Sequence, residues 1–400
     1  MAEPSRREFL RCGIGLGAAA FLGGCSGPVR HDPNPAFLEL KPTADGLVSL
    51  ARFGPNAWSE ACEAVIPQVS DLSWLKKGDS VFLKLASNSP LEHPAVTAPD
   101  SVVAVAKYLR ERGAGEIWAG DQAGVGHVRL TQTGRVSSTR EAFASNGLGA
   151  AIERSEATVH CFDDQGWDGY VNAKADFPSQ WPEGMWLPKI LEQVDHVIYL
   201  PRLATHSLAG YTCAVKIAVG WLRDDSRKHL HQKAKTFFEK VAEINHCPLI
   251  RDKLRFSLTL GDQALLNIGP DIGSRYDLEG VVAIGATNLV DHDLLASAIL
   301  RWLDRDETSL YDLYEPYPEH ADYWNRYLVE STWGEKALER YTPLIPYELE
   351  KGLKHDRCLS HLATLQGYRP KRIEVRRGGS FDEDLMTHLG EFGEGVFALA

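Results

Sequence analysis

An α/β chain built on a mostly parallel, doubly wound sheet, with a helical, aromatic-rich C-terminal addition, is predicted by three observations. Short apolar runs such as "HVIYLP" alternate with segments whose apolar residues recur at helical spacing. Those runs are apolar throughout, as in strands buried on both faces. Composition is that of an ordinary globular chain, 44% hydrophobic and 24% charged, and 400 residues hold one large domain with elaborations, or two. No repeat of solenoid period stands out.

Residues 1–24 predict an export signal. Ser5-Arg6-Arg7-Glu8-Phe9-Leu10 precedes an apolar stretch from Gly13 to Gly24, too short and glycine-rich to cross about 30 Å of hydrocarbon as a permanent anchor. Arg6 and Arg7 resemble the twin-arginine (Tat) signal of folded export. Leu22-Gly23-Gly24-Cys25 resembles a bacterial lipobox, with Cys25 as the lipid site. The alternative is a plain cleaved signal with an incidental cysteine. The first reading expects the Tat translocase as a partner and a lipid anchor on the periplasmic side of the cell envelope. Residues 25–45 lack periodicity and read as a tether.

The α/β domain is expected over 46–305. "SVFLKLA" is its first strong strand, "PDSVVAVAKYLRERG" a helix with Pro99 at its start, and "EIWAGD" a strand ending at Asp121. "ATVHCF" and "HVIYLP" are further strands, separated by the short helix "LPKILEQV". "TCAVKIAVGWL" is expected to be an apolar helix capped by Thr212, and a charged helix should follow around 228–245. "KLRFSLTL" and "GVVAIGA" are strands, and "LVDHDLLASAILRWL" closes the domain. From 306 the texture turns aromatic and acidic, so 306–400 is expected to be an extension packed on the main domain. Its "YRPKRIEVRRGGSFDEDLMTHL" reads as a strand with a solvated basic face, then a helix.

Charge and cysteines exclude several classes. The chain carries −11; removing residues 1–24, with three Arg and two Glu, leaves −12, and no long basic run offers itself to nucleic acid. Beyond Cys12 and Cys25, the cysteines Cys62, Cys161, Cys213, Cys247 and Cys358 show no C-x-x-C spacing, which describes neither a zinc cage nor a locally held iron–sulfur cluster and allows at most two disulfides. No G-x-S-x-G or Walker sequence is present, and Gly124-Val125-Gly126 is a turn first.

What remains is a constellation at strand ends. His206 lies beyond the carboxyl end of "HVIYLP", the edge where open α/β sheets bind ligands. Lys216 is a lysine inside an apolar sequence, either snorkelling from a rim or aimed at an anion. His229 and His231 fall on different sides of a basic stretch, so one should simply face solvent. Lys84, Asn88 and Asp262 also sit at or just after strand ends, and Gly269, Pro270 and Gly273 form a tight loop able to bring backbone close to a ligand. Three histidines near one edge could ligate a divalent metal, with His206 and His231 as candidates, or serve as acid and base.

These blocks together resemble the domain-of-unknown-function 362 family. The matching positions are Lys84, Asn88 and Thr97, then His206, Thr212, Lys216 and His231, then Asp262, Gly269, Pro270, Gly273 and Asp291. Arg202 stands where members often have Lys, Ile217 where they have Asn, and the cysteine-rich ferredoxin segment of many members is missing. The resemblance implies a shared site rather than a settled reaction. The expectation is an enzyme for a small anionic or polar ligand. Lys84, Asn88 and Lys216, with the Gly269–Gly273 loop as a wall, hold the ligand; His206 and His231 move protons or ligate metal; Asp262 orients one of them. The alternative is a non-catalytic binding protein or an accessory subunit of an envelope complex.

Overall fold

The apolar runs fold as strands in a computed structural model that describes residues 35–267, 269–304, 332, 352–379 and 381–399. The export signal with Arg6 and Arg7, the lipid site Cys25 and, Thr332 apart, the aromatic segment that begins at 306 lie outside the described residues. In chain order the strands are β1 (Ala44–Phe53), β2 (Val81–Leu85), β3 (Ile117–Asp121), β4 (Arg129–Thr131), β5 (Gly134–Val136), β6 (Thr158–Cys161), β7 (Tyr170–Ala173) and β8 (Met185–Pro188). They continue with β9 (His196–Leu200), β10 (Ala204–His206), β11 (Gly210–Thr212), β12 (Leu254–Leu266), β13 (Ser274–Ala286), β14 (Pro370–Gly379) and β15 (Phe397–Leu399).

The central sheet runs β15-β14-β1-β13-β12-β9-β2-β3-β6. Along this path the β1–β13 and β13–β12 pairs are antiparallel and the others parallel, so β13 opposes its neighbours; off the path β10 joins β12 in parallel and β11 returns antiparallel to β10. Taken in chain order, β2, β3, β6, β9 and β12 occupy the spatial order 3-2-1-4-5 of a doubly wound sheet. The chain winds outward from β2 to β6, then restarts at β9 on the other side of β2. The crevice between the carboxyl ends of β2 and β9 is therefore the switch point, where such sheets bind ligands.

Two cores explain why the strands read as apolar runs. Val81, Leu83, Ile198 and Leu200 pack under the helices Trp58–Val69, Pro99–Glu111 and Leu148–Arg154. Phe82, Val197 and Tyr199 point the other way, toward the helices Phe237–His246, Leu289–Leu303 and Arg357–Leu365. Alternation along each strand feeds both faces, so the strands read as apolar runs with few breaks, such as Lys84 in β2 and His196 in β9.

Several expectations need correction. β1 begins at Ala44, inside the expected tether, and β14 pairs with it in parallel. The C-terminal segment thus completes the sheet edge instead of being laid over a finished domain. "TCAVKIAVGWL" is no α-helix: Thr212 ends β11, and a 3-10 helix spans Lys216–Trp221. The charged helix breaks into Asp224–His231 and Phe237–His246. β12 and β13 form one long antiparallel pair with a bulge between Gly261 and Gln263. Phe256, Leu258 and Leu260 face one core but Ala264 and Leu266 the other, so the bulge reverses the alternation at Asp262. The five described cysteines are all buried and free. Among the described residues no helix is long and apolar enough to cross a membrane.

Candidate functional site

At the switch point β9 exits through Pro201 and Arg202 into the β10–β11 hairpin, which carries His206 and leads to Lys216. The loop between β12 and β13 closes against this hairpin. Gly269 adopts φ +56°, and a Cβ there would collide with the Thr205 carbonyl, so no other residue fits without displacing β10. Ser207 Oγ donates to the Gly269 carbonyl at 3.1 Å. A Cβ at Gly273 would strike the Leu266 carbonyl. The two predicted glycines do bring backbone close, to β10 and β12.

The loop delivers Asp271. Asn88 Nδ2 donates to both of its carboxylate oxygens, at 2.8 and 2.7 Å, and His127 Nε2 lies 3.6 Å away. Burial alone would raise the Asp271 pKa, but His127, Arg202 and Asn88 together hold it below the usual range. Asn88, expected to meet a ligand, is thereby committed to Asp271.

Lys84 is committed as well. Its ammonium is fully buried, 2.6 Å from Asp121 Oδ1 and 2.7 Å from the Leu85 carbonyl, under the ring of Trp221. Asp121 also accepts from the Ser87 and Gln122 amides. Gly220 leaves room for this pair, since a Cβ there would overlap both partners. The expectation that Lys84 holds an anion is corrected: its charge is already neutralised.

Lys216 differs. It is partly buried and, among the described residues, makes no hydrogen bond and no ion pair. The loop before it is fixed: Asp293 accepts the Ala214 and Val215 amides at 2.8 Å each, and Asn245 Nδ2 donates to the Val215 carbonyl. Asp293 is braced in turn by His292 Nδ1 at 2.8 Å. Burial first, then repulsion by Arg202 and Arg227 against attraction by Asp271, pulls the Lys216 pKa down to about 7. The Arg227 guanidinium is bonded to the Leu222, Ala123, Gln122 and Gly220 carbonyls. Arg202 is 3% exposed, and its Nε and Nη1 are buried without a hydrogen-bond partner. Lys84 and Asp121 pair with each other, while Asp271 is the acid that attracts both Lys216 and Arg202 most strongly.

Both predicted histidines belong to the cluster. Burial, then Lys216, Arg202 and His231, holds the His206 pKa well below its ordinary value. Burial, with repulsion from Lys216, Arg227 and Lys240, brings His231 to about 4. Both rings are neutral near pH 7, and their tautomers are opposite. His206 Nδ1 accepts the Leu208 amide at 3.0 Å, which leaves its proton on Nε2. His231 Nδ1 lies 2.8 Å from the Arg227 carbonyl, to which it must donate, which leaves Nε2 as an acceptor.

Asp262 does not join them. The bulge turns it toward His93, with which it pairs at 3.1 Å, and nearly half of its side chain faces solvent. His229 stacks near Trp181 at 5.2 Å, with Nε2 3.3 Å from the Gln180 carbonyl, apart from the site. Among the described residues no three His, Cys, Asp or Glu side chains gather to hold a metal ion, so His206 and His231 lack a third ligand there. Sequence reasoning missed Arg202, Arg227, His127 and Asp271. Arg202 offered a signal, a charge directly after a fully apolar strand, and so did Asp271, inside the predicted tight loop.

Residues 81–298 match the family model described as "Domain of unknown function (DUF362)". No curated protein matches the sequence. Among solved structures, the chain is similar to the lactate racemase apoprotein from Thermoanaerobacterium thermosaccharolyticum, at 10% identity over 89% of this chain and 87% of that one, with a TM-score of 0.32.

Proposed function

The chain belongs to the DUF362 family, and on that premise we propose that it is an envelope-anchored enzyme that binds a small anionic ligand and works on it by proton transfer. One observation carries the reading: among the described residues Lys216 makes no hydrogen bond or ion pair, and it acts on two neutral imidazoles of opposite tautomer. Lys216 meets the negative charge of the ligand. His231 Nε2 is the proton acceptor, and His206 Nε2–H is the donor. An anion in the site offsets the repulsion from Lys216 and Arg227, so the His231 pKa rises on binding and the ring becomes a stronger base.

The experiment incubates the protein with small carboxylates and phosphates in D2O and follows carbon-bound deuterium by NMR. Incorporation that disappears in His231→Gln and His206→Asn, with ligand affinity kept, is the expected result. Binding without exchange or turnover favours the second reading, a non-catalytic binding protein or accessory subunit. The low His231 pKa in the unliganded protein speaks for that alternative.

The anchoring part of the proposal rests on the N-terminal sequence. Residues 1–24 are a Tat signal that is removed, and Cys25 carries lipid at the periplasmic side of the envelope. Replacing both Arg6 and Arg7 by Lys retains the precursor inside the cell, and Cys25→Ala leaves it unlipidated. Normal export of the double variant would remove this part.

A further inference from the structure

We propose that Arg202 is the second cation of the ligand site, and that with Lys216 it grips an oxyanion group of the ligand, a carboxylate or a phosphoryl group. The inference rests on the reading of Lys216 as a ligand residue. Its own ground is the hydrogen-bond account of Arg202. The guanidinium has five N–H donors and no capacity to lose its charge. At 3% exposure Arg202 should therefore be bonded throughout, as Arg227 is to four carbonyls. Instead Nε and Nη1 are buried without an acceptor, and Arg202 makes no hydrogen bond or ion pair among the described residues.

The carboxylate that attracts Arg202 most strongly, Asp271, is occupied by Asn88 and approached by His127. The second, Asp121, is held by Lys84 and by the Ser87 and Gln122 amides. A charge that the fold leaves unmet between two engaged acids is expensive to keep for stability alone. Nε and Nη1 are closed to bulk solvent, so the acceptor arrives with a ligand the crevice admits, the guanidinium turning to meet it. Planar, forked donors select an oxyanion over a halide, and Lys216 adds a point charge.

The two cations are also coupled. Arg202 is the largest repulsive influence on Lys216, followed by Arg227; Asp271 and Cys358 act in the opposite sense. His206 and His231 complete the groups facing Lys216 and are neutral near pH 7. Anion binding requires protonated Lys216, so affinity falls as pH rises through about 7. Removing Arg202 moves that midpoint to higher pH.

The test titrates the full chain with inorganic phosphate and, separately, with acetate by calorimetry from pH 5.5 to 9, alongside thermal melts. The wild type is expected to bind one probe, and which one identifies the group. Arg202→Met should weaken binding at least tenfold without lowering Tm and shift the midpoint upward, and Arg202→Lys should recover part of the affinity. If Arg202→Met binds like the wild type while Lys216→Met does not, the Arg202 inference falls and the site reading stands. Unchanged binding in both variants, or no binding of either probe by the wild type, removes both. A lower Tm for Arg202→Met with an unmoved pH midpoint makes Arg202 structural and overturns the inference.

Discussion

Two lysines come from segments that reach the switch point, and the fold treats them differently. Lys84, at the end of β2, is enclosed with Asp121, a carbonyl and an aromatic ring, in space that Gly220 leaves open. Lys216, at the start of the 3-10 helix, follows a firmly held backbone and makes no ion pair among the described residues. Burial depresses the pKa of both, Lys84 to about 8 and Lys216 to about 7, but only at Lys84 does a bonded carboxylate offset part of the cost. A buried charge with its partner is structure, and a buried charge without one marks a place for something else.

The largest effect that would sharpen this contrast is expected at Lys84. Lys84→Met leaves Asp121 buried opposite a methyl group and should lower stability by about 3–5 kcal/mol in chemical denaturation. A loss below about 1 kcal/mol would show that the Ser87 and Gln122 amides suffice for Asp121 and would erase the difference between the two lysines.

Next comes Gly220→Ala. The added methyl falls on Asp121 and Lys84, so about 1–3 kcal/mol should be lost through displacement of the pair. Anion affinity should change little, because the nearest atoms the methyl meets belong to Asp121 and Lys84. A fall in affinity equal to that of Lys216→Met would mean that the two pockets are one.

Lys216→Met should act in the opposite direction. The Lys216 pKa falls from 10.5 in the unfolded chain to about 7 in the fold, so the charged form is disfavoured there. Its penalty is full below pH 7 and fades as pH rises from 7 to 10.5. Removing the charge should therefore stabilise the protein at pH 7, on the order of 2 kcal/mol after allowance for partial exposure, and the gain should vanish near pH 11. Melts of both proteins at pH 6, 7 and 10.5 read this directly; destabilisation at pH 7 would assign Lys216 a structural partner.

The smallest effect is expected at His229. His229→Ala should stay within about 0.5 kcal/mol of the wild type and leave anion affinity unchanged. Altered affinity would enlarge the site beyond His231.

Much of the fold was legible because it is local. Strand and helix periodicity located β2, β3, β6, β9 and the helix Leu289–Leu303, and the alternation implied a parallel sheet with its working edge after "HVIYLP". His206, Lys216 and His231 were expected together, and Lys216 acts electrostatically on both histidines although the three sit on a strand, a 3-10 helix and an α-helix. The expected helix over "TCAVKIAVGWL" failed because apolar runs of that length do not declare their type. There Asp293 and Asn245 hold the backbone in other conformations. Asp262 failed for a different reason. A bulge between Gly261 and Gln263 reverses which face each residue takes, and a strand pattern read two residues at a time does not show it.

By itself, then, the sequence determined the parallel strands at the centre of the sheet and the carboxyl edge where such sheets bind ligands, since backbone periodicity depends on near neighbours. The tertiary structure decided which charges are spent. Lys84 meets Asp121 from another strand, Asn88 meets Asp271 from a loop far along the chain, and Arg202 and Lys216 meet no acceptor among the described residues. Pairing is set by which side chains arrive in the same few ångströms, and burial strengthens each match or mismatch. That information exists only once distant segments are packed together.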